Sequence, residues 1–171
     1  MKSYMIIPLF AFLFTLIQCE IARNIDVMID KPGVVVSDKI LSPDSQAVVT
    51  IVSVTGESQS YTFSVTLQSP DTGCEQYADW WEVIKSSDSS LVYRRILAHS
   101  HVSEQPFRRS GGPVAVDAQE QVIIRGHMNN LGYGSLVMRG SAESGFIPDT
   151  ISIHLGSKLE EQEPLPGTCA F

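Results

Sequence analysis

Residues 47–68 read AVVTIVSVTGESQSYTFSVTLQ, which is two strand-like runs joined by turn residues at 55–58. In the second run every other residue is apolar: Tyr61, Phe63, Val65 and Leu67. Successive side chains of a strand point to opposite faces, so a period of two predicts strands with one buried face.

The same pattern recurs along most of the chain, between clusters of Gly, Asn, Asp and Ser. It predicts strands over residues 47–55, 60–68, 77–84, 91–102, 121–128, 135–141 and 150–155, with weaker candidates at 25–29 and 33–37. No window shows a helical stripe. Seven or eight short strands at this spacing predict an all-β fold, an antiparallel two-sheet β-sandwich of immunoglobulin-like or jelly-roll type.

The first 19 residues are predicted to be a signal peptide. Lys2 is the only charged residue before Glu20, and residues 5–17 form an apolar run that is shorter than the roughly 20 residues of a membrane span. A buried N-terminal helix is the alternative. Residues 16–19, Leu-Ile-Gln-Cys, resemble a lipobox, which implies lipidation of Cys19; ordinary cleavage after Cys19 is the other route.

Two further cysteines remain in the predicted mature chain. Cys74 and Cys169 are expected to form one disulfide in an oxidising compartment, and the alternative is two free thiols. Residues 20–171 suit one domain with an extended acidic C-terminal tail.

The net charge of the chain limits the kinds of partner that it is expected to bind. The chain has 12 Lys and Arg against 19 Asp and Glu, with a formal net charge of −7. An acidic chain without a basic run is not expected to bind nucleic acid. A protein or carbohydrate partner is compatible with it. A secreted or extracytoplasmic location is predicted, with membrane contact only if Cys19 is lipidated.

Four histidines lie out of phase with the apolar stripes of their predicted strands. His99 and His101 share one face, with Glu104 close behind, while His127 and His154 come from later segments. Two imidazoles about 7 Å apart along a strand can converge on one ion. His99, His101, Glu104 and His127 are therefore the candidate ligands for zinc, copper or iron. Solvated or hydrogen-bonded histidines are the alternative. In either case we expect His99, His101 and His127 to lie on one continuous surface or cleft, outside the apolar core, with His101 facing solvent.

Three other features of the sequence predict local structure. Trp80 and Trp81 should face opposite ways, one in the core and the other beneath a loop or available as a stacking platform. Residues 110–113, Ser-Gly-Gly-Pro, predict a turn. Arg108 and Arg109 are expected to be solvated and able to pair with the acidic tail.

The segment 99–110, HSHVSEQPFRRS, resembles uncharacterised exported bacterial β-sandwich proteins with an H-P-H-V-x-E-Q-P-F-x-R-S motif followed by a G-Y-G turn, here residues 132–134. The resemblance covers residues 93–134. It departs at Ser100, where the motif has proline, and at Leu131, where it has histidine. No activity follows from this resemblance.

The order His99, His101, Glu104 and Gly111 also resembles the first motif of the cupins, which implies a metal within a barrel. The gap between His101 and Glu104 is one residue too short, and Tyr93 stands in place of a leading glycine. The second cupin motif has no counterpart before His127.

Two functions follow from the sequence. The first is an exported binding or structural module at the cell surface or outside the cell. The second is a metal-binding protein, or a cupin-like metalloenzyme, that uses the His/Glu cluster. The sequence does not decide whether the chain is an enzyme.

Overall fold

A computed structural model describes residues 45–170, and all of these residues fall in one compact unit. The predicted signal peptide, Cys19 and the weaker strand candidates at 25–29 and 33–37 lie outside the described residues. Within residues 45–170, no helix is long and apolar enough to cross a membrane.

Nine strands account for about half of the described chain. They are β1 (Val48–Glu57), β2 (Ser60–Gln68), β3 (Ala78–Lys85), β4 (Leu91–Ile96), β5 (Phe107–Val114), β6 (Val122–Met128), β7 (Gly132–Tyr133), β8 (Leu136–Ser141) and β9 (Gly145–Thr150). A short 3-10 helix, η1 (Ser157–Glu161), follows them.

The strands form two antiparallel sheets. The small sheet has the order β1-β2-β5, and the large sheet has the order β4-β3-β6-β8-β9, with β7 paired to β6. The apolar face of β2 packs against the inner face of the large sheet. The shared core contains Phe63, Val65 and Leu67 from the small sheet and Trp81, Val83, Val122 and Ile124 from the large one. The predicted all-β sandwich is confirmed.

The outer face of the large sheet is covered as well. The C-terminal segment, residues 151–170, packs Leu159 with Ile84 and Ile123 in a second apolar cluster, which Ile151 and Leu155 border. As a result β6 is buried along its whole length. The predicted extended tail begins instead with η1.

Two strand predictions are wrong. The predicted strand at 91–102 ends at Ile96, so the two histidines that follow lie in a loop. The predicted strand at 150–155 is also wrong, because β9 precedes it and residues 151–155 belong to no strand. Apolar residues there alternate but pack from an irregular segment, which periodicity alone does not distinguish from a strand.

Strand β5 replaces the predicted turn at 110–113. Its residues have low intrinsic strand preference, yet it pairs with β2 over residues 107–114. A Cβ on Gly111 would lie 2.5 Å from the Tyr93 hydroxyl, so the close approach of Tyr93 explains glycine in this strand. Arg109 binds Glu104 rather than the acidic tail.

Candidate functional site

The four predicted metal ligands are divided between two places. His99, His101 and Glu104 line one pocket, which we call the His101 pocket. His127 lines a different depression, which we call the His127 cleft. No group of three or more His, Cys, Asp or Glu side chains within residues 45–170 is arranged to hold a metal ion. The structure therefore does not assemble the predicted four-ligand site.

The loop between β4 and β5 shapes the His101 pocket. The carboxylate of Asp71 accepts hydrogen bonds from the Ser69 hydroxyl (2.6 Å), the Ala78 backbone N–H (3.0 Å) and the His101 backbone N–H (2.8 Å). Gln105 adds hydrogen bonds to Ser69 and to the His101 carbonyl. The pocket has a volume of about 390 Å³.

The ring of His101 is buried, with only 3% of the residue exposed. It stacks on Phe107 at a centroid distance of 3.7 Å and lies 4.6 Å from the ring of His99. His101 lines a pocket, but the prediction that it faces solvent is wrong, because β4 ends before this residue and face alternation no longer applies. His99 is exposed, as predicted.

Polar atoms in this pocket lack partners. Within the described chain, neither ring nitrogen of His101 has a hydrogen-bond partner, and neither does the buried Ser100 hydroxyl. The nearest carboxylate oxygen, of Asp71, is 3.9 Å from His101 Nδ1, which is too long for a hydrogen bond. Burial, followed by the positive charge of Arg109, lowers the pKa of His101, so this ring is held neutral.

Glu104 is engaged elsewhere. Its carboxylate binds Arg109 at 2.8 Å, and this hydrogen bond lowers the pKa of Glu104. The carboxylate that the sequence offered as a ligand is therefore already paired at the rim of the pocket.

His127 is held tightly on the outer face of β6. Its Nδ1 lies 2.6 Å from the Asp79 carboxylate, and its ring stacks on Trp80 at 3.5 Å. The edge of Tyr133 completes the enclosure, at a centroid distance of 4.8 Å. His127 lines a cleft outside the apolar core, as predicted, but this is not the pocket that His99 and His101 line, so the predicted single surface is wrong. The cleft beside it has a volume of about 600 Å³.

A buried ionic cluster that sequence reasoning missed lies beside the cleft. Glu82 faces Arg94 on β4 and Arg125 on β6, and it binds both guanidinium groups. The sequence contains a signal for this cluster. Glu82 lies within an apolar strand, and a glutamate is rarely buried there unless it is paired.

The same arginines hold the C-terminal segment. Arg94 donates to the carbonyls of Leu159, Gln162 and Pro164, and Arg125 donates to those of Leu155 and Gly156. The two tryptophans face opposite ways, as predicted: Trp81 is in the core and Trp80 is covered on the outer face. One face of Trp80 contacts His127 and Arg94 lies over its ring, so Trp80 is not a stacking platform.

The disulfide fastens the end of this segment. Cys74 and Cys169 are bonded, with their Cα atoms 5.7 Å apart, which confirms the predicted pairing. Residues on both sides of the bond, Gly73 and Ala170, line the His101 pocket. His154 lies exposed in the C-terminal segment and lines neither depression.

Comparison with known proteins finds similarity over part of the chain. A protein of Halomicrobium mukohataei named "Putative lipoprotein" is 42% identical over 83 residues. The match covers 48% of this chain and 40% of the relative, so the chain spans less than half the length of that protein. No family model matches the chain. No solved structure matches it either.

Proposed function

We propose that this protein is an exported binding module, anchored to a membrane through Cys19, with its ligand site in the His101 pocket. Export and anchoring are supported by the signal-like first 19 residues, the lipobox-like residues 16–19 and the name of the Halomicrobium mukohataei relative. The folded part would then stand outside the membrane as a disulfide-stabilised sandwich.

One observation carries the ligand site: three buried polar atoms without partners belong to two adjacent residues that line one pocket. A buried polar group without a hydrogen bond costs roughly 1–3 kcal/mol. A ligand that pairs with Ser100 and His101 would recover that cost. Folded proteins rarely leave several such atoms together without a use.

The geometry favours binding over general-base catalysis. A catalytic histidine is usually oriented by a group hydrogen-bonded to its other ring nitrogen. His101 has no such group in the described chain, since Asp71 is 3.9 Å away and already accepts three hydrogen bonds.

The pocket is tested by screening small polar fragments against the full mature domain. Histidine ring resonances in nuclear magnetic resonance spectra report where a fragment binds. We expect hits to shift the ring signals of His101 and to leave those of the exposed His154 unchanged. Hits that shift only His154, or none that shift His101, would contradict the proposed pocket.

A transition metal is the second candidate ligand, favoured by the adjacency of the rings of His99 and His101. Imidazole suits zinc and copper, and a neutral ring is the form that binds metal. Such a site would use two protein ligands, with solvent completing the coordination.

Calorimetric titration with zinc and copper separates the metal candidate from the organic one. The metal candidate requires one ion to bind, with affinity reduced at least about tenfold, equivalent to about 1.4 kcal/mol, in His99→Ala and His101→Ala. His154→Ala is the matched control and should bind like the wild type. Equal binding by all four proteins would reject the two-histidine site.

Anchoring is tested separately by labelling cells that express the full chain with radioactive palmitate. The wild type should incorporate label and fractionate with membranes. Cys19→Ser should lose both properties. Label that persists in Cys19→Ser would exclude this cysteine as the anchor.

A further inference from the structure

The His127 cleft lies apart from the ligand site proposed above. It is formed by the outer face of β3 and β6, the turn after β6 and the C-terminal segment. The volume of about 600 Å³ falls within the 300–1,000 Å³ that is usual for small-molecule sites.

One wall of the cleft contains a donor without an acceptor. Trp80 is 2% exposed and lines the cleft, and its indole N–H has no hydrogen-bond partner in the described chain. A buried indole usually finds such a partner. Among the described residues, the indole N–H of Trp81 in the core is unpaired as well, but Trp80 lines a cleft, where a bound ligand could supply an acceptor.

Acceptors lie in the same cleft. The side chain of Glu160 is 45% exposed, and its carboxylate oxygen lies 3.8 Å from His127 Nε2, which is beyond hydrogen-bond distance. Glu160 and His127 therefore remain available to a ligand, while Asp79 fixes the orientation of the ring.

The remaining lining is amide and aliphatic. Asn130 is exposed, and Leu131 and Leu165, at 43% and 39% exposure, are two of the large apolar residues that stay in solvent. No lysine or arginine is among the described residues that line the cleft. This composition disfavours anions and suits a neutral ligand with both polar and apolar surface.

From these groups we infer that the His127 cleft binds a neutral carbohydrate. Each sugar hydroxyl both donates and accepts, so one ligand can accept from the Trp80 indole and donate to Glu160 and His127. Its C–H faces would contact Leu131 and Leu165. Recognition would use the edge of Trp80, because His127 and Arg94 already occupy its ring.

Calorimetry with the disulfide-intact protein tests this inference. The probes are cellotriose and maltotriose as neutral sugars, trigalacturonate as an anionic sugar and spermidine as a cation. We expect at least one neutral trisaccharide to bind at one site. Glu160→Gln should weaken it about tenfold, because a charge-assisted hydrogen bond is lost.

Matched variants locate the site. Glu161→Gln removes an exposed acid from the neighbouring position, outside the cleft, and should bind like the wild type. Trp80→Phe removes the unpaired N–H and should also weaken binding; its thermal unfolding is recorded to establish that it folds. Glu160→Gln keeps the test decisive if Trp80→Phe does not fold.

Three results would overturn the inference. The first is no saturable binding of either neutral trisaccharide up to about 10 mM, where a millimolar site would be half-occupied or more. The second is equal binding by Glu160→Gln and the wild type. The third is tighter binding of spermidine or trigalacturonate than of any neutral sugar.

Discussion

Glu82 is a carboxylate with no exposed surface, between two arginines that are also buried. One acid compensates two guanidinium groups, and backbone carbonyls of the C-terminal segment accept their remaining hydrogen bonds. Glu82 therefore holds the two arginines that position residues 155–164. Glu160, which lines the His127 cleft, lies within this range.

Glu82→Gln should destabilise the protein by about 3–5 kcal/mol, because removing one member of a buried ionic group leaves charge uncompensated. Urea unfolding measures the loss. Asp149→Asn is the matched control, since it breaks the partly exposed pair with Arg139 and should change stability little. A Glu82→Gln loss no larger than that of Asp149→Asn would contradict this account.

Gly126 is the second residue on which the fold depends closely. A Cβ at this position would lie 2.7 Å from the Ala47 side chain and 2.8 Å from the Ala47 carbonyl oxygen. Gly126→Ala should cost about 1–3 kcal/mol through overpacking. Gly167→Ala has open space around it and should stay within about 0.5 kcal/mol of the wild type in the same urea experiment.

At the scale of elements, the C-terminal segment covers the outside of the large sheet. It has little regular structure, yet it buries the outer face of three neighbouring strands. Three interactions hold it: the apolar packing of Leu159, the arginine hydrogen bonds in its middle and the disulfide near its end. The segment thereby forms one side of the His127 cleft and one edge of the His101 pocket.

Replacing both cysteines of the Cys74–Cys169 bond with serine should destabilise the domain by roughly 2–5 kcal/mol, since the bond closes a long loop, with a sequence separation of 95. Urea unfolding of the oxidised wild type, the reduced wild type and the double variant measures this. The reduced protein and the double variant should agree. Full stability in both would show that the segment is held without the disulfide.

Elements with one apolar face were predictable from sequence. Strand β2 matches its prediction residue for residue, and β6 differs at one end only. Strand β5 was missed because its stability comes from pairing with β2 and from space for Tyr93, neither of which composition reveals. The pattern at 150–155 misled because Ile151 and Leu155 pack, partly buried, against the large sheet from a segment that is not a strand.

The candidate sites were predictable only in part. Face alternation correctly placed His127 and Ile124 on opposite faces of β6. It did not show that a later segment covers the face on which His127 lies. Alternation also failed for His101, because the strand had ended. Pairings between distant residues, such as Asp79 with His127, depend on strand order and register, which one sequence does not specify.

At the scale of the whole molecule, the ionisation of two buried tyrosines, Tyr133 and Tyr77, is coupled to folding. Burial, followed by the charge of Glu82, raises the pKa of Tyr133 despite the nearby arginines. Burial and the charges of Asp79 and Asp71 raise the pKa of Tyr77. Both phenols are therefore protonated in the folded state at pH values where the unfolded chain begins to lose these protons.

This difference fixes the alkaline behaviour of the domain. Unfolded tyrosines ionise near a pKa of about 10, whereas folded Tyr133 and Tyr77 hold their protons to higher pH. The folded state binds more protons in that range, so stability is complete below about pH 10 and falls as pH rises above it, by up to about 1.4 kcal/mol per pH unit for each phenol. Urea unfolding at about pH 9 and about pH 11 measures the fall, and Tyr133→Phe should show a smaller one because the Tyr133 contribution is absent. Identical pH dependence in the wild type and Tyr133→Phe would mean that the Tyr133 phenol titrates alike in both states, contrary to its burial between Arg125, Trp80 and His127.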